Sequence, residues 1–200
     1  MKPLEHYFTN NENLDSKLRI LSYNYKGINI DFYSDLGVFS KNKIDFGSRL
    51  LVETFLSFNH NNISKVLDVG SGYGFVGITL SKVLNVKVDM IDINKRAIHL
   101  TDMNIKKNNI DGKAFISNIY DDVSDKYDLI VTNPPIRAGK EVVLKILLGA
   151  REHLNINGEL WFVIRKDQGA KSIIKCIENV YFEEIIAKSK GFYIISAKIR

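Results

Sequence analysis

Val66-Leu67-Asp68-Val69-Gly70-Ser71-Gly72-Tyr73-Gly74 is an apolar run that passes into a glycine-rich turn and then into a helical pattern. Such a strand–turn–helix lets the backbone approach a ligand closely at the carboxyl edge of a sheet. From about residue 65 onward, β-branched runs alternate with helical stretches, the signature of repeated βαβ units and a parallel sheet. The strand candidates are 65–69, 86–92, 113–118, 127–133 and 159–164, and the helix candidates 74–84, 94–107, 139–153 and 168–179. At the carboxyl end, 182–189 and 192–199 are separated only by Lys190-Gly191, too short for a helical crossover, so an antiparallel hairpin closes the sheet.

Upstream, 18–25 and 28–33 flank Lys26-Gly27 like a hairpin, followed by a helix expected over 46–58; together they cap the sheet. Thr9 to Lys17 is a polar stretch expected to lack regular structure. With 200 residues and 45% hydrophobic content, one domain is expected, 1–60 forming the cap and 61–200 a Rossmann-like core.

The formal charge of +5 points mildly toward an anionic partner such as nucleic acid. The single cysteine, Cys176, excludes an intramolecular disulfide, fits a reducing compartment, and is expected to be buried in helix packing. His6, His60, His99 and His153 are dispersed without ligand spacing, so no metal site is expected. The start, Met1-Lys2-Pro3-Leu4-Glu5-His6, lacks a signal-peptide apolar region, and the apolar stretch from Val142 to Leu148 is broken by Lys145. A cytoplasmic protein is the expectation, without a membrane segment.

Gly72, Gly74 and Gly77 also satisfy G-x-G-x-x-G, the spacing of a dinucleotide-binding turn. Asp68 separates the readings. A carboxylate just ahead of the glycines repels a pyrophosphate but suits the ammonium and sulfonium charges of S-adenosylmethionine; its alternative role is to cap neighbouring backbone N–H groups. Asp92, about 20 residues beyond the glycines, is placed to accept both ribose hydroxyls, or else to cap the helix that follows. Asn118 is a candidate adenine contact, with an ordinary turn asparagine as the rival reading.

The most informative segment is Asp128-Leu129-Ile130-Val131-Thr132-Asn133-Pro134-Pro135, an apolar strand ending in Asn-Pro-Pro. A residue before proline is held extended, which projects Asn133 outward where open α/β sheets bind ligands. An exocyclic amine is a weak nucleophile because its lone pair is delocalised into the ring. Accepting its two N–H bonds at the Asn133 amide oxygen and the Pro134 carbonyl turns that lone pair toward a methyl donor, so orientation replaces a strong base.

Asn133-Pro134-Pro135-Ile136-Arg137-Ala138-Gly139-Lys140, together with Gly37-Val38-Phe39-Ser40 and Asp45-Phe46-Gly47-Ser48-Arg49-Leu50-Leu51, closely resembles the small-subunit ribosomal RNA guanine-N2 methyltransferase family, especially its short bacterial members. The resemblance implies a class I methyltransferase: an α/β fold with a doubly wound, mostly parallel, seven-stranded sheet, an antiparallel carboxyl-terminal hairpin strand and a small amino-terminal hairpin-and-helix cap. It implies S-adenosylmethionine as cofactor, with Asp68, Gly70, Gly72, Tyr73, Gly74, Asp92, Ile93, Asn118 and Asn133 around it and Phe39, Lys43 and Asp45 in a segment beside it. Asn133, Pro134 and Pro135 become the transfer residues, and ribosomal RNA or the small ribosomal subunit the partner. Ile136 stands where many amino-methyltransferases carry an aromatic residue that stacks on the target base, and Asn118 where an acidic residue is common. Longer relatives carry a second, degenerate amino-terminal domain for which this chain has no room, so a different mode of RNA docking is expected.

Arg137, Lys140, Arg165, Lys166 and Lys171 follow consecutive strands and are expected along one rim, with Lys41 and Lys43 on the cap; Ile136 and this rim are the candidate RNA surface. Competing readings are a methyltransferase acting on a protein glutamine amide, a noncatalytic RNA-binding or ribosome-assembly module, and a nicotinamide dehydrogenase, which Asp68 and Asn-Pro-Pro disfavour.

Overall fold

The computed structural model describes residues 17–40, 42–60 and 62–200. The amino-terminal hairpin pairs β1 (Arg19–Tyr25) with β2 (Ile28–Ser34) around the turn at Lys26-Gly27, and α1 (Phe46–Phe55) completes the cap. The alternating units follow as β3 (Lys65–Val69), α2 (Phe75–Leu84), β4 (Lys87–Asp92), α3 (Lys95–Asn108), β5 (Gly112–Ile116), β6 (Tyr127–Thr132), α4 (Lys140–His153), β7 (Leu154–Arg165) and α5 (Ala170–Ile177). The chain ends in the hairpin of β8 (Tyr181–Ser189) and β9 (Phe192–Ile199).

The seven strands lie in the order β5-β4-β3-β6-β7-β9-β8. The first five in this row are mutually parallel, whereas β9 runs antiparallel to both β7 and β8. Connections leave β3 toward β4 on one side and reach β6 on the other, so the carboxyl ends of β3 and β6 flank a topological switch point, where open α/β sheets bind ligands.

The two-residue period of the strands divides the core into two layers. Val66, Val88, Leu129, Val131 and Val163 face α1, α2 and the hairpin, while Leu67, Ile91, Ile130, Phe162 and Ile164 face α4 and α5. Phe32 of β2, fully buried, sets its ring edge-on to Tyr73 (centroids 5.8 Å apart) and tilted against Phe75 (5.4 Å), docking the cap onto the glycine-rich turn. Truncating it leaves a cavity under that turn. We expect Phe32→Ala to cost about 3–5 kcal/mol in chemical denaturation, whereas Phe182→Ala, at a site 61% exposed, should change stability by under about 0.5 kcal/mol.

Several boundaries differ from the sequence expectation for identifiable reasons. Helix α1 stops at Phe55 rather than residue 58 because the chain tightens there: the N–H groups of Ser57 and Phe58 donate to Thr54 and Phe55 in three-residue steps. Strand β5 ends two residues early, Ser117 turning its hydroxyl to the Ile119 carbonyl while Ile119 adopts φ 57°. Strand β7 starts five residues early, at Leu154, which pairs with Tyr127 across a bulge. Gly169, at φ 84°, separates a short 3₁₀ turn (Lys166–Gln168) from α5, shortening the expected helix. Cys176 is exposed, correcting the expectation of burial: α5 buries Ala170, Ile173 and Ile177, and position 176 falls off that stripe. The stretch from Thr9 through residue 16 and Lys41 lie outside the described residues.

Candidate active site

The glycine-rich turn is pinned to the end of β4. The N–H groups of Gly70 and Ser71 both donate to the Ile91 carbonyl (2.9 and 3.0 Å), and that of Gly72 donates to Asp92 Oδ2 (2.9 Å). Gly70 (φ 73°) and Gly72 (φ 59°) adopt left-handed backbone, and a Cβ built on either meets no protein atom within 4 Å. That cradle opens into a cavity of about 250 Å³, lined on the turn side by Gly70, Gly72 and Asp92 and on the far side by Asn133, Pro134 and Pro135. Ile93 and Asn118 border it at one end, Val38 and Phe39 of the cap at another. A smaller cavity of about 30 Å³ shares Phe39, Gly70, Gly72 and Asn133 with it, adding Asp45, Ser48, Asp68, Ser71 and Tyr73. Gly74 borders neither cavity. Its need is internal: φ is 89°, and a Cβ would meet Ile78 at 2.8 Å and Thr101 at 3.0 Å.

Asp68 takes the backbone-capping role weighed for it and also borders a cavity. Its Oδ2 accepts the N–H of Gly77 in α2 (2.8 Å), and it lines the small cavity. Burial drives its carboxyl pKa up to about 7, the Gly77 hydrogen bond opposing and the Asp92 charge adding to the rise. Because the folded value exceeds the unfolded one, the native state holds the extra proton between about pH 4 and 7; stability falls as pH rises through that window and is level above it. A cationic ligand selects the ionised form, so its affinity should weaken by about tenfold per pH unit below about 7. Calorimetry across pH 5.5 to 8.5 checks this, and Asp68→Asn should flatten the profile.

Asp92 uses both oxygens on backbone, Oδ2 on Gly72 and Oδ1 on the Asn94 N–H (2.9 Å each). Burial raises its pKa, and hydrogen bonds from Asn94, Gly72 and Ile93 oppose the rise. The helix-capping alternative belongs to Asn94, whose side chain accepts from the N–H groups of Arg96 and Ala97. Asn118 is exposed two residues beyond β5; its amide nitrogen donates to Asp121 Oδ2 (3.0 Å) within a turn, so the turn role is real although the residue borders the cavity. Tyr73 is buried, which pushes its hydroxyl pKa well above the usual range.

Asn133 emerges at the end of β6, where Thr132 hydrogen-bonds the Val69 carbonyl (2.8 Å) and ties the strand end to β3. Its amide nitrogen donates to Asp45 Oδ2 (3.1 Å) and to Ser48 Oγ (2.9 Å). Beyond it, the Pro135 carbonyl accepts the Ala138 N–H (2.9 Å) in a 3₁₀ turn over Ile136–Ala138. That commits the Pro135 carbonyl to the turn and directs an acceptor role toward Pro134.

Ile136 and Lys140 border a third cavity of about 220 Å³ between α4 and α5. Lys140, the first residue of α4, sets its ammonium against Ser172 Oγ (2.6 Å). Arg137, Lys166 and Lys171 are exposed on this rim and Lys43 on the cap. Arg165 is held in two hydrogen bonds by Asp167 (2.9 and 2.7 Å), which offsets its charge. Sequence reading passed over Ser48, quoted in a motif but given no role. It also passed over Ser71, whose buried hydroxyl has no hydrogen-bond partner and borders the small cavity. A third group was missed, in which Phe46 lies beneath Arg49 and Lys190 and Phe192 beneath Arg165. The pairing of Arg165 with Phe192 at the β7–β9 junction creates that group, and recognising that the hairpin turn returns to the carboxyl edge was the available signal.

Among the described residues, no group of three or more His, Cys, Asp and Glu side chains could hold a metal ion. No helix there is long and apolar enough to cross a membrane. The open cradle at Gly70 and Gly72, the unpaired Ser71 hydroxyl and the two carboxylates fit a ligand bearing amino-acid and ribose groups. The strand order and this site define a class I, S-adenosylmethionine-dependent methyltransferase.

The chain belongs to the methyltransferase small domain family, whose model matches residues 29–196. It is 41% identical over 200 residues to the uncharacterized protein YbxB of Bacillus subtilis, covering 97% of this chain and 98% of that one. It is 38% identical to ribosomal RNA small subunit methyltransferase C of Buchnera aphidicola, across 86% of this chain but 52% of the relative, so it spans about half the length of that enzyme. Among solved structures, the 16S rRNA N2 G1207 methyltransferase of T. Thermophilus, in complex with AdoMet and guanosine, matches with a TM-score of 0.82 at 23% identity, covering 94% of this chain and 52% of that one. The ribosomal protein L11 methylase of Lactobacillus delbrueckii matches with a TM-score of 0.69 at 22% identity, over 80% and 85% of the respective chains.

Proposed function

We propose that the protein methylates the exocyclic N2 amine of a guanine in small-subunit ribosomal RNA, in the cytoplasm, with the RNA or the assembled subunit as its partner. The observation that carries this reading is the seat of Asn133: its amide nitrogen is spent on Asp45 and Ser48, which leaves the amide oxygen as the acceptor for a substrate N–H. The relatives named for ribosomal RNA methylation add support through similarity across most of this chain.

The donor, when bound, supplies an electrophilic methyl group on a positively charged sulfur. Gly70 and Gly72 admit its backbone-facing surface, and Asp92 takes the ribose hydroxyls on lone pairs remaining beside its backbone hydrogen bonds. Asp68 and the Ser71 hydroxyl face its amino-acid end. Asn133 Oδ1 and the Pro134 carbonyl accept the two N–H bonds of the target amine and turn its lone pair toward the methyl group. The amine proton passes to water afterwards, so orientation carries the catalysis. Arg137, Lys140 and Lys166 give the RNA phosphates a cationic rim, and Ile136 offers the base an apolar contact.

The test incubates the purified protein and radiolabelled S-adenosylmethionine with unmodified small-subunit RNA, assembled subunits and a release-factor protein, followed by nucleoside and peptide analysis. Label in N2-methylguanosine is the expected result. Label confined to protein glutamine would overturn the RNA assignment, and donor binding without transfer to any substrate would mark a noncatalytic module.

A further inference from the structure

We infer that Asp45 and Ser48 are positioning residues that select which end of the Asn133 amide faces the target amine. An asparagine side chain is nearly symmetric in shape but opposite in hydrogen-bonding character at its two ends. Only the oxygen end can accept from a substrate NH₂; the nitrogen end would set donor against donor. The protein resolves this by giving the amide nitrogen two acceptors, Asp45 Oδ2 at 3.1 Å and Ser48 Oγ at 2.9 Å. A carboxylate only accepts, so a flipped amide would lose the Asp45 bond and press its oxygen against the Asp45 carboxylate; the Ser48 hydroxyl, which can donate or accept, follows the polarity that Asp45 sets.

Asp45 is itself held. It caps α1 with extended backbone (φ −63°, ψ 137°), and the same Oδ2 accepts the Ser48 N–H at 2.8 Å. Ser48 is buried, and Gly47 between them leaves the room: a Cβ there would meet Asp45 Oδ2 at 3.1 Å and Phe192 at 2.9 Å. The cap helix thereby reaches across 88 residues of sequence to set the polarity of the transfer motif. The resemblance placed Asp45 beside the cofactor through the motif alone; the hydrogen bonds assign it to Asn133.

The inference rests on the proposed role of Asn133, and its test separates the two. The side-chain NH₂ resonances of Asn133, followed by NMR in the ligand-free protein, report the anchoring without any substrate. Wild type and Asp45→Asn, which keeps an acceptor oxygen, should show exchange-protected signals displaced from the shifts of a free asparagine amide; Asp45→Ala/Ser48→Ala should lose both the protection and the displacement. In turnover, the double variant should lose at least about tenfold in kcat with donor Kd within about twofold, while Asp45→Asn stays within about threefold of wild type. Ser48→Ala alone, which leaves the helix cap intact, should lose about three- to tenfold and keeps the test decisive if the double variant fails to fold. Unchanged resonances in the double variant, or a fall in donor affinity parallel to kcat, would overturn the inference. Anchored resonances in a protein that methylates no guanine would instead overturn the functional reading and leave the anchoring intact.

Discussion

Asn133→Ala should abolish nearly all transfer while leaving donor binding intact. In the proposed mechanism the amide oxygen is the acceptor that directs the amine lone pair, and removing one preorganised hydrogen-bonding group at a reacting centre costs about 10²–10³-fold in kcat. Donor affinity should move by less than about threefold, since the donor contacts argued above come from the glycine-rich turn and the end of β4. Folding should also be nearly unaffected. Asp45 keeps its bond to the Ser48 N–H and Thr132 keeps its bond to Val69, so neither the α1 cap nor the strand end depends on the Asn133 side chain. Single-turnover rates with saturating donor, beside calorimetric titration of S-adenosylmethionine, separate the two quantities. A rate within threefold of wild type would remove Asn133 from the mechanism.

What could be read in the sequence follows from the range of the interactions involved. Strand β3 and the ends of β6 and α4 were placed to within a residue because local signals fix them: a β-branched run against glycines, a proline pair, and Gly139 ahead of a helical pattern. The division of the core into two layers needed the strand order as well, because the central strands are apolar on both faces. Partnerships across long sequence separations were not legible. Nothing in Asp45-Phe46-Gly47-Ser48 announces that two of its side chains meet Asn133, 85 and 88 residues on. Asn104 is similar: it bonds the Tyr33 and Tyr73 carbonyls, stitching hairpin to cofactor turn, yet in sequence it is one polar residue on a helix. Cys176 failed for a related reason, because residue type suggested burial while the stripe of α5 set by Ala170, Ile173 and Ile177 decided the outcome.

The cap thus takes part in the site and does more than cover the sheet. Asn94 Nδ2 donates to the Gly37 carbonyl (3.2 Å) and Arg96 to that of Leu36 (3.0 Å), which ties the loop carrying Val38 and Phe39 to the start of α3. The residues that line the larger cavity from the cap side are therefore held by the helix that follows Asp92. Changes at that helix start should reach the cavity through this loop.

Asp92→Ala carries the largest effect expected on donor binding. A ribose hydroxyl pair held by a carboxylate makes two charge-assisted hydrogen bonds, each contributing about 1.5–3 kcal/mol, so affinity should fall at least about a hundredfold. The competing account is that Asp92 is only a latch for the turn, since its two oxygens already accept from Gly72 and Asn94. The two accounts diverge on a donor analogue that lacks both ribose hydroxyls. Ligand-free Tm falls under either account, because both Asp92 oxygens hold backbone N–H groups, of Gly72 and Asn94, that Asp92→Ala leaves without acceptors. A latch acts only through the turn, so its loss weakens binding of donor and analogue by the same factor. If Asp92→Ala weakens the donor at least about tenfold more than the analogue, the carboxylate touches ribose; if both weaken equally, Asp92 belongs to the loop and the ribose must be held elsewhere.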